Sequence, residues 1–473
     1  FYDDYTVHNY ETVDGNIVVM RGDLIVRGEV EGDAVVIYGD IKIEERAEIS
    51  GNITSIGGKI VQLESSVVRG NQIETSPRNV YKYTGYSNRD EYDQEEYYYD
   101  SWHDSHRYQY STLPIWPLDD QFLVRYNRVQ GLFLGLELPK SIGGKSRIVT
   151  IHGFGGYGFE EQAWRYQVGI DRYFFDQKAY RFELGANFHD LTDTRDDWLI
   201  TPLENTLASF LIHEDFQDYY RRQGYEVHIS QNWSIYLKGT LAYRNDEYET
   251  LSKNADWALF GGKKKFRDNP AIEEGNMRSF YGEIYLDTRN NHETPRRGWY
   301  GKVSMEVSNS GLNSDFYFNQ YIFELRHYLP LSRRERLDFR LKLGSSEGNL
   351  PFQKMYELGG ISSLRGFQFK EFAGDRLILA NFEYVLSPSV FSRDLFFFDD
   401  VRLILFSDVG STWFSSDNSK WNKGFDHLKF NDLKSDLGIA LSSWDGTVRL
   451  NIAKRTDTNK NPMMITFRIA KPF

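Results

Sequence analysis

From about Leu113 to the C-terminus, apolar and polar positions alternate in segments of roughly ten residues separated by turns, the period of membrane-spanning β-strands. The first of these segments are Val129–Leu138, Arg147–Tyr157, Trp164–Phe174, Tyr180–Phe188, Tyr225–Trp233 and Ile235–Tyr243. Then come Ser279–Thr288, Trp299–Val307, Phe316–Tyr328, Leu337–Gly344, Arg376–Leu386, Arg402–Trp413, Ser435–Leu441, Thr447–Lys454 and Met463–Ala470. Asp256–Lys264 makes a sixteenth, in keeping with the even strand numbers of bacterial single-chain barrels. In the last segment Met463, Ile465, Phe467 and Ile469 share one face, and Met464, Thr466, Arg468 and Ala470 the other. A basic residue facing lipid costs about 2–4 kcal/mol at the bilayer midplane, so Arg449 and Arg468 are expected in the lumen. One stretch breaks the period of two. Asn205–Arg222 carries apolar residues near helical spacing and ends before Gly224, which predicts a short helix in a loop.

The N-terminal region has its own rhythm. GNIVVMRGDLIV starts at Gly15, GDAVVIYGDIKI at Gly32, GNITSIGGKIV at Gly51 and GNQIE at Gly70, a period of 17 to 19 residues. Each unit holds two short β-branched runs preceded by glycine turns. Stacked units of this kind bury a continuous core, so Asp14–Glu74 reads as a small parallel β-solenoid. A meander of hairpins is the alternative. Pro77–Tyr110 is acidic, tyrosine-rich and aperiodic, a linker in this reading. His103 and His106 flank Asp104 within it, but no further ligand cluster lies nearby, so a solvated tether is preferred to a metal site. The domains expected are therefore a solenoid over residues 1–76, a linker over 77–112 and an all-β antiparallel barrel over 113–473.

Composition sharpens this picture. Formal net charge is -12, which excludes the basic face of a nucleic-acid binder. There is no cysteine, hence no disulfide and no thiolate metal site. Mean hydropathy is -0.56 and no apolar run reaches about 18 residues, so no transmembrane helix is expected. Barrels escape that test because only one face of each strand meets lipid, and 32 Tyr with 33 Phe suits their aromatic girdles. The start at Phe1 reads as a mature or trimmed form with a secretory signal upstream. No nucleophile–base pair, phosphate loop or metal cluster is found, so no catalytic residue, cofactor or enzyme activity is assigned.

The segment GGISSLRGFQFKEFAGD, Gly359–Asp375, lies in a long connection between two strands. Such a loop is uncommon unless it is functional. In Arg376–Leu386 the alternation places Glu383, with Asn381, on the lumen face; in Arg402–Trp413 it places Asp408 there. Two inward carboxylates on neighbouring strands repel unless a cation stands between them. Arg365 supplies a planar fork suited to bidentate carboxylate contacts. Folded back into the lumen, Arg365 would reach both, Gly366 would let the backbone approach the wall, and Phe367 would pack against it.

These residues carry a resemblance. LRGF at Leu364–Phe367 resembles the [V/I]RG[F/Y] motif of the outer-membrane assembly and translocation superfamily, the group of BamA, TamA and the two-partner secretion transporters. DTRNNHETPRRGW at Asp287–Trp299, GDRLILANFEY at Gly374–Tyr384 and FSDVGSTW at Phe406–Trp413 are similar to further family motifs in the same order. LGIALSSWDGTVRLNIAKR at Leu437–Arg455 and the terminal ITFRIAKPF complete the series. The resemblance covers about Leu113–Phe473 and implies that Arg365, Glu383 and Asp408 form the family's latch. It also implies a seam between first and last strands that opens sideways. Those strands are read as Val129–Leu138, weakened by Gly131 and Gly135, and Met463–Phe473, with Phe467 and Phe473 on it and Pro472 lacking a ladder donor. The N-terminal repeats resemble bactofilin-type solenoids in composition and stand where the family carries POTRA modules. The implied location is the bacterial outer membrane with the solenoid in the periplasm. The implied partners are the lipid bilayer, unfolded outer-membrane protein clients and accessory subunits. Two other roles stay open: a barrel that anchors a polymerising or wall-binding solenoid, and a plugged secretion channel.

Overall fold

The computed structural model describes residues 4–75, 122–138, 149–386, 401–415 and 420–469, with short breaks at 21, 38, 57, 64, 176–177, 293, 333, 426–427, 430–431, 444–445, 447 and 458–462. The tyrosine-rich linker with His103 and His106, and the terminal Pro472 and Phe473, lie outside these residues. The chain divides into two units, Phe1–Arg89 and Asp90–Phe473.

In the first unit the repeats close into a parallel solenoid with three sides. Tyr5–Val7, Leu24–Val26, Ile41–Ile43 and Ile60–Gln62 stack on one side, and Ile17–Met20, Ala34–Ile37, Ile53–Ile56 and Gln72–Thr75 on another. The third side was not read from the sequence because its strands are only two residues long, such as Glu29–Val30 on Glu48–Ile49. The β-branched positions face inward and form one stacked core from Val7 to Ile53. At the corners, Asn16, Asp33 and Asn52 each accept the backbone N–H of the next turn, at 2.7–2.9 Å. Asp4, Asp23 and Asp40 do the same at 2.8 Å. These ladders satisfy amides that a tight corner leaves without a strand partner.

The second unit is a single sheet of sixteen strands in sequence order, each antiparallel to the next. They are β1 (Phe122–Asn127), β2 (Gly131–Glu137), β3 (Val149–Gly158), β4 (Ala163–Phe174), β5 (Phe182–Thr194), β6 (Tyr219–Asn232), β7 (Leu237–Thr250) and β8 (Gly275–Asp287). They continue as β9 (Gly298–Ser308), β10 (Phe318–Pro330), β11 (Glu335–Gly348), β12 (Arg376–Leu386), β13 (Val401–Trp413), β14 (Lys434–Ser443), β15 (Arg449–Arg455) and β16 (Met464–Arg468). The usual polarity is inverted. Trp164, Leu241 and Ile465 are 68%, 62% and 67% exposed, whereas Arg340, Asp408 and Asp436 are wholly buried. The fourteen inner strands pair their backbone on both sides, and an apolar outer face of this kind is suited to hydrocarbon.

Three expectations are corrected. Asp256–Lys264 is a loop: Leu259 and Phe260 donate backbone N–H groups to Phe210 and Leu211 carbonyls, closing over a helix end. The strand count survives because Phe122–Asn127, a six-residue strand too short for the ten-residue template, takes the first place. Consequently Val129–Leu138 does not supply the first strand. Gly131 and Gly135 lie on β2, where a Cβ at Gly135 would come 2.9 Å from the Gly155 carbonyl of β3. Gly131 opens β2 opposite Asn127 with φ +62°, and a Cβ there would meet the Glu160 side chain at 2.3 Å, so neither glycine is on the seam edge. The helix, α1, covers only Pro202–Ile212. Thr201 caps it through the Glu204 N–H, Pro202 opens it, and His213 ends it in the left-handed region. Tyr219 and Tyr220, read as helical, begin β6, where they pair with Thr194 and Asp193.

Candidate functional site: a buried latch joined to the sheet edges

The connection between β11 and β12 runs through a short ribbon, Tyr356–Leu358 paired with Phe372–Gly374, and the tip between them is buried. Arg365 is 1% exposed. Its Nε donates to Asp408 Oδ2 at 2.7 Å and its Nη2 to Asp408 Oδ1 at 2.6 Å, a fork-to-fork contact. Its backbone N–H adds a bond to the same carboxylate at 3.1 Å, and Nη1 donates to Glu383. The guanidinium lies 3.6 Å above the Phe406 ring centroid, a cation–π distance.

The neighbours of this group were only partly anticipated. Arg449 was placed in the lumen by its strand pattern, and it grips Glu383 with Nη1 and Nη2 at 2.9 and 2.8 Å. Glu383 is thus held by two arginines. Asn381 donates to Asp408 Oδ1 at 2.8 Å and to the Ser363 carbonyl at 2.7 Å, tying wall to loop. Asp436 accepts the Gly366 N–H at 2.9 Å. A Cβ at Gly366 would come 2.7 Å from Asp436 Cβ, so glycine is required by space. Leu364 and Phe367 join a lumen cluster with Leu377, Leu379, Tyr220 and Tyr248, and Arg455 covers the Phe367 ring at 4.1 Å.

A second loop, between β5 and β6, carries α1 and meets the first. Ser362 Oγ donates to the Leu199 carbonyl at 2.6 Å. Lys370 reaches Asp196, Asp218 and Glu357 at 2.7, 2.5 and 2.9 Å. Burial opposes ionisation of Asp218, but Lys370 and Arg267 outweigh it and hold the carboxyl below its ordinary 3.8. A carboxylate whose folded pKa is lowered contributes stability in full above the unfolded value and loses it as pH falls. The contact between the two loops is therefore expected to weaken progressively as pH falls below about 4, read as faster amide exchange at residues 196–218 and 359–371 while strand amides stay protected.

The two loops end at the sheet edges. Among the described residues β1 pairs only with β2 and β16 only with β15, and the two share no ladder. Instead α1 stands against both. Glu204 accepts Arg468 Nε and Nη2 at 2.9 and 2.8 Å and the Ile469 N–H at 3.0 Å. Two residues further along, Thr206 Oγ1 accepts the Tyr126 N–H at 3.4 Å, and Phe210 meets the Tyr126 ring edge-on at 5.6 Å. One helical turn thus bonds to the backbone N–H groups of the first and last strands. Arg468 also donates to the Ile361 carbonyl at 3.2 Å and to Ser362 Oγ, so the last strand, α1 and the latch loop form one continuous network. Nothing in the sequence announced it. Arg468 and Glu204 are 264 positions apart, and their meeting depends on how the sheet curls. Of the other seam residues, Phe467 faces outward on β16 at 61% exposure.

Comparison with known proteins now has a geometry to refer to. Residues 155–471 match the Omp85 superfamily domain. The outer membrane protein assembly factor BamA of Nitratidesulfovibrio vulgaris is 25% identical over 214 residues, 42% of this chain and 24% of that protein. The match thus spans about a quarter of that relative's length. Among solved structures, BamA from Haemophilus ducreyi lacking POTRA domains 1-3 superposes with a TM-score of 0.48 at 15% identity, over 76% of this chain and 73% of that one. CdiB from Escherichia coli gives 0.40 at 13% identity, over 75% and 62%.

Proposed function

The chain belongs to the Omp85 superfamily, and from that premise we propose that it is an outer-membrane barrel that receives client strands at the β1/β16 seam. The observation that carries this reading is the pair of edge strands, unladdered to each other among the described residues and both bonded to α1. A free strand edge offers unpaired N–H and C=O groups that template another strand. The helix satisfies part of that edge at rest and leaves it when a client strand arrives. The latch holds the loop network behind the helix. Clients are unfolded outer-membrane proteins, the solenoid is a periplasmic docking module, and accessory subunits bind there. The role is mechanical: strands are held and handed to the bilayer, and no covalent bond is broken.

A plugged channel is the second reading, favoured by the two loops that meet beneath buried Arg365 and Arg468. The purified chain in liposomes separates the two. Seam insertion predicts that an unfolded eight-stranded barrel folds faster in vesicles holding the chain than in empty ones. Equal folding rates, with ion conductance appearing on disruption of the loops, would replace the insertion reading by the channel.

A further inference from the structure

A second cluster sits away from the latch, on β3 to β6. Asp171 on β4 pairs across the ladder with Gly185 on β5, and Gly185 with His228 on β6. The three positions form one row whose centre has no side chain. A Cβ at Gly185 would lie 2.1 Å from Asp171 Oδ1 and 2.5 Å from His228 Nε2. Both groups therefore lean over the glycine toward each other. Glu183, two residues along β5 and so on the same face, completes the set. Donor atoms of Asp171, Glu183 and His228 all lie within 4.8 Å of one another. We propose that this triad is a binding site for a divalent transition-metal ion of the Zn²⁺ class.

The spacing fits such an ion. Nitrogen and oxygen ligands about 2.0–2.2 Å from a tetrahedral zinc are about 3.3–3.6 Å apart. His228 Nε2 is 3.2 Å from Glu183 Oε1 and 3.5 Å from Asp171 Oδ1. An imidazole with two carboxylates selects zinc-like ions over magnesium or calcium, which take oxygen donors only. The surroundings are those that orient ligands. His152 Nδ1 stands 2.9 Å from Asp171 Oδ2, and a Cβ at Gly169 would lie 2.1 Å from His152 Nε2. His228 Nδ1 faces Glu226 Oε1 at 3.7 Å, the side on which a metal-bound imidazole presents its other N–H to a carboxylate. Lys238 approaches Glu183 Oε2 at 3.5 Å and leaves Oε1 toward the triad. Three adjacent strands, β4 to β6, would be pinned by one ion.

The test uses the full chain in detergent micelles, stripped with a chelator and titrated with ZnCl₂ by calorimetry. One equivalent should bind and raise the Tm of the barrel by several degrees, as any ligand specific to the folded state does. His228→Gln and Asp171→Asn should abolish both effects. Wild-type chain that binds no zinc would overturn the proposal, as would zinc binding unchanged in the variants, which would place the ion elsewhere, for instance at His103 and His106. If the variants do not fold, cobalt substitution of a chain carrying His103→Gln and His106→Gln decides: a tetrahedral visible spectrum displaced by one equivalent of zinc supports the site, and a featureless titration rejects it.

Discussion

Replacing Arg365 by alanine is expected to cost the barrel about 3–5 kcal/mol, the range for removing one partner of a buried ion pair. Asp408 and Glu383 are 0% and 4% exposed, so neither can recover its lost bonds from bulk water. Asp408 loses both guanidinium bonds and keeps only the Asn381 amide and the backbone N–H of residue 365. Glu383 keeps Arg449. The larger share of the cost therefore falls on Asp408 and on the stacking over Phe406. Heat-modified migration on gels gives the readout: the variant should convert from folded to unfolded band well below the wild-type temperature. Arg365→Lys should recover little, because one ammonium cannot reproduce the fork. Unchanged heat resistance in Arg365→Ala would show that the loop is held without its arginine.

The second large effect concerns Glu204. Glu204→Gln keeps the size of the side chain but removes the charge that pairs with Arg468 and caps the Ile469 N–H. Bonds to charged groups are worth about 1.5–3 kcal/mol, which corresponds to an opening equilibrium about 10- to 150-fold larger. Amide exchange should accelerate by that factor at residues 464–469 and 122–127 and stay unchanged in β6 to β10. Uniform acceleration across the sheet would mean that the helix supports the barrel generally and does not guard its edges.

How far the sequence carried these conclusions depends on the kind of contact. Arg365, Glu383 and Asp408 were legible because alternation fixes which way a strand residue faces, and two inward carboxylates demand a cation. The same rule put Arg449 and Arg468 inside the barrel but gave neither partner. Partners depend on strand tilt and on where each loop falls, and the Arg468–Glu204 pair joins the last strand to a loop near the beginning. α1 was read from Asn205, past the Thr201 cap and Pro202 that open it, and overrun at its end because the tyrosines that open β6 also fit helical spacing. Phe122–Asn127 was too short to register as a membrane strand, and that one omission moved the expected seam from β1 to β2. In the solenoid, two sides were visible as β-branched runs, while the third rests on two-residue strands with no pattern to detect.

The seam itself is the claim on which the rest depends. The chain contains no cysteine, so a pair introduced on β1 and β16 is the only disulfide that can form within it. Client folding in liposomes would be followed with that variant oxidised and then reduced. The account predicts acceleration over empty vesicles in the reduced state, its loss on oxidation and its return on reduction. Acceleration that persists with the two strands locked together would contradict it.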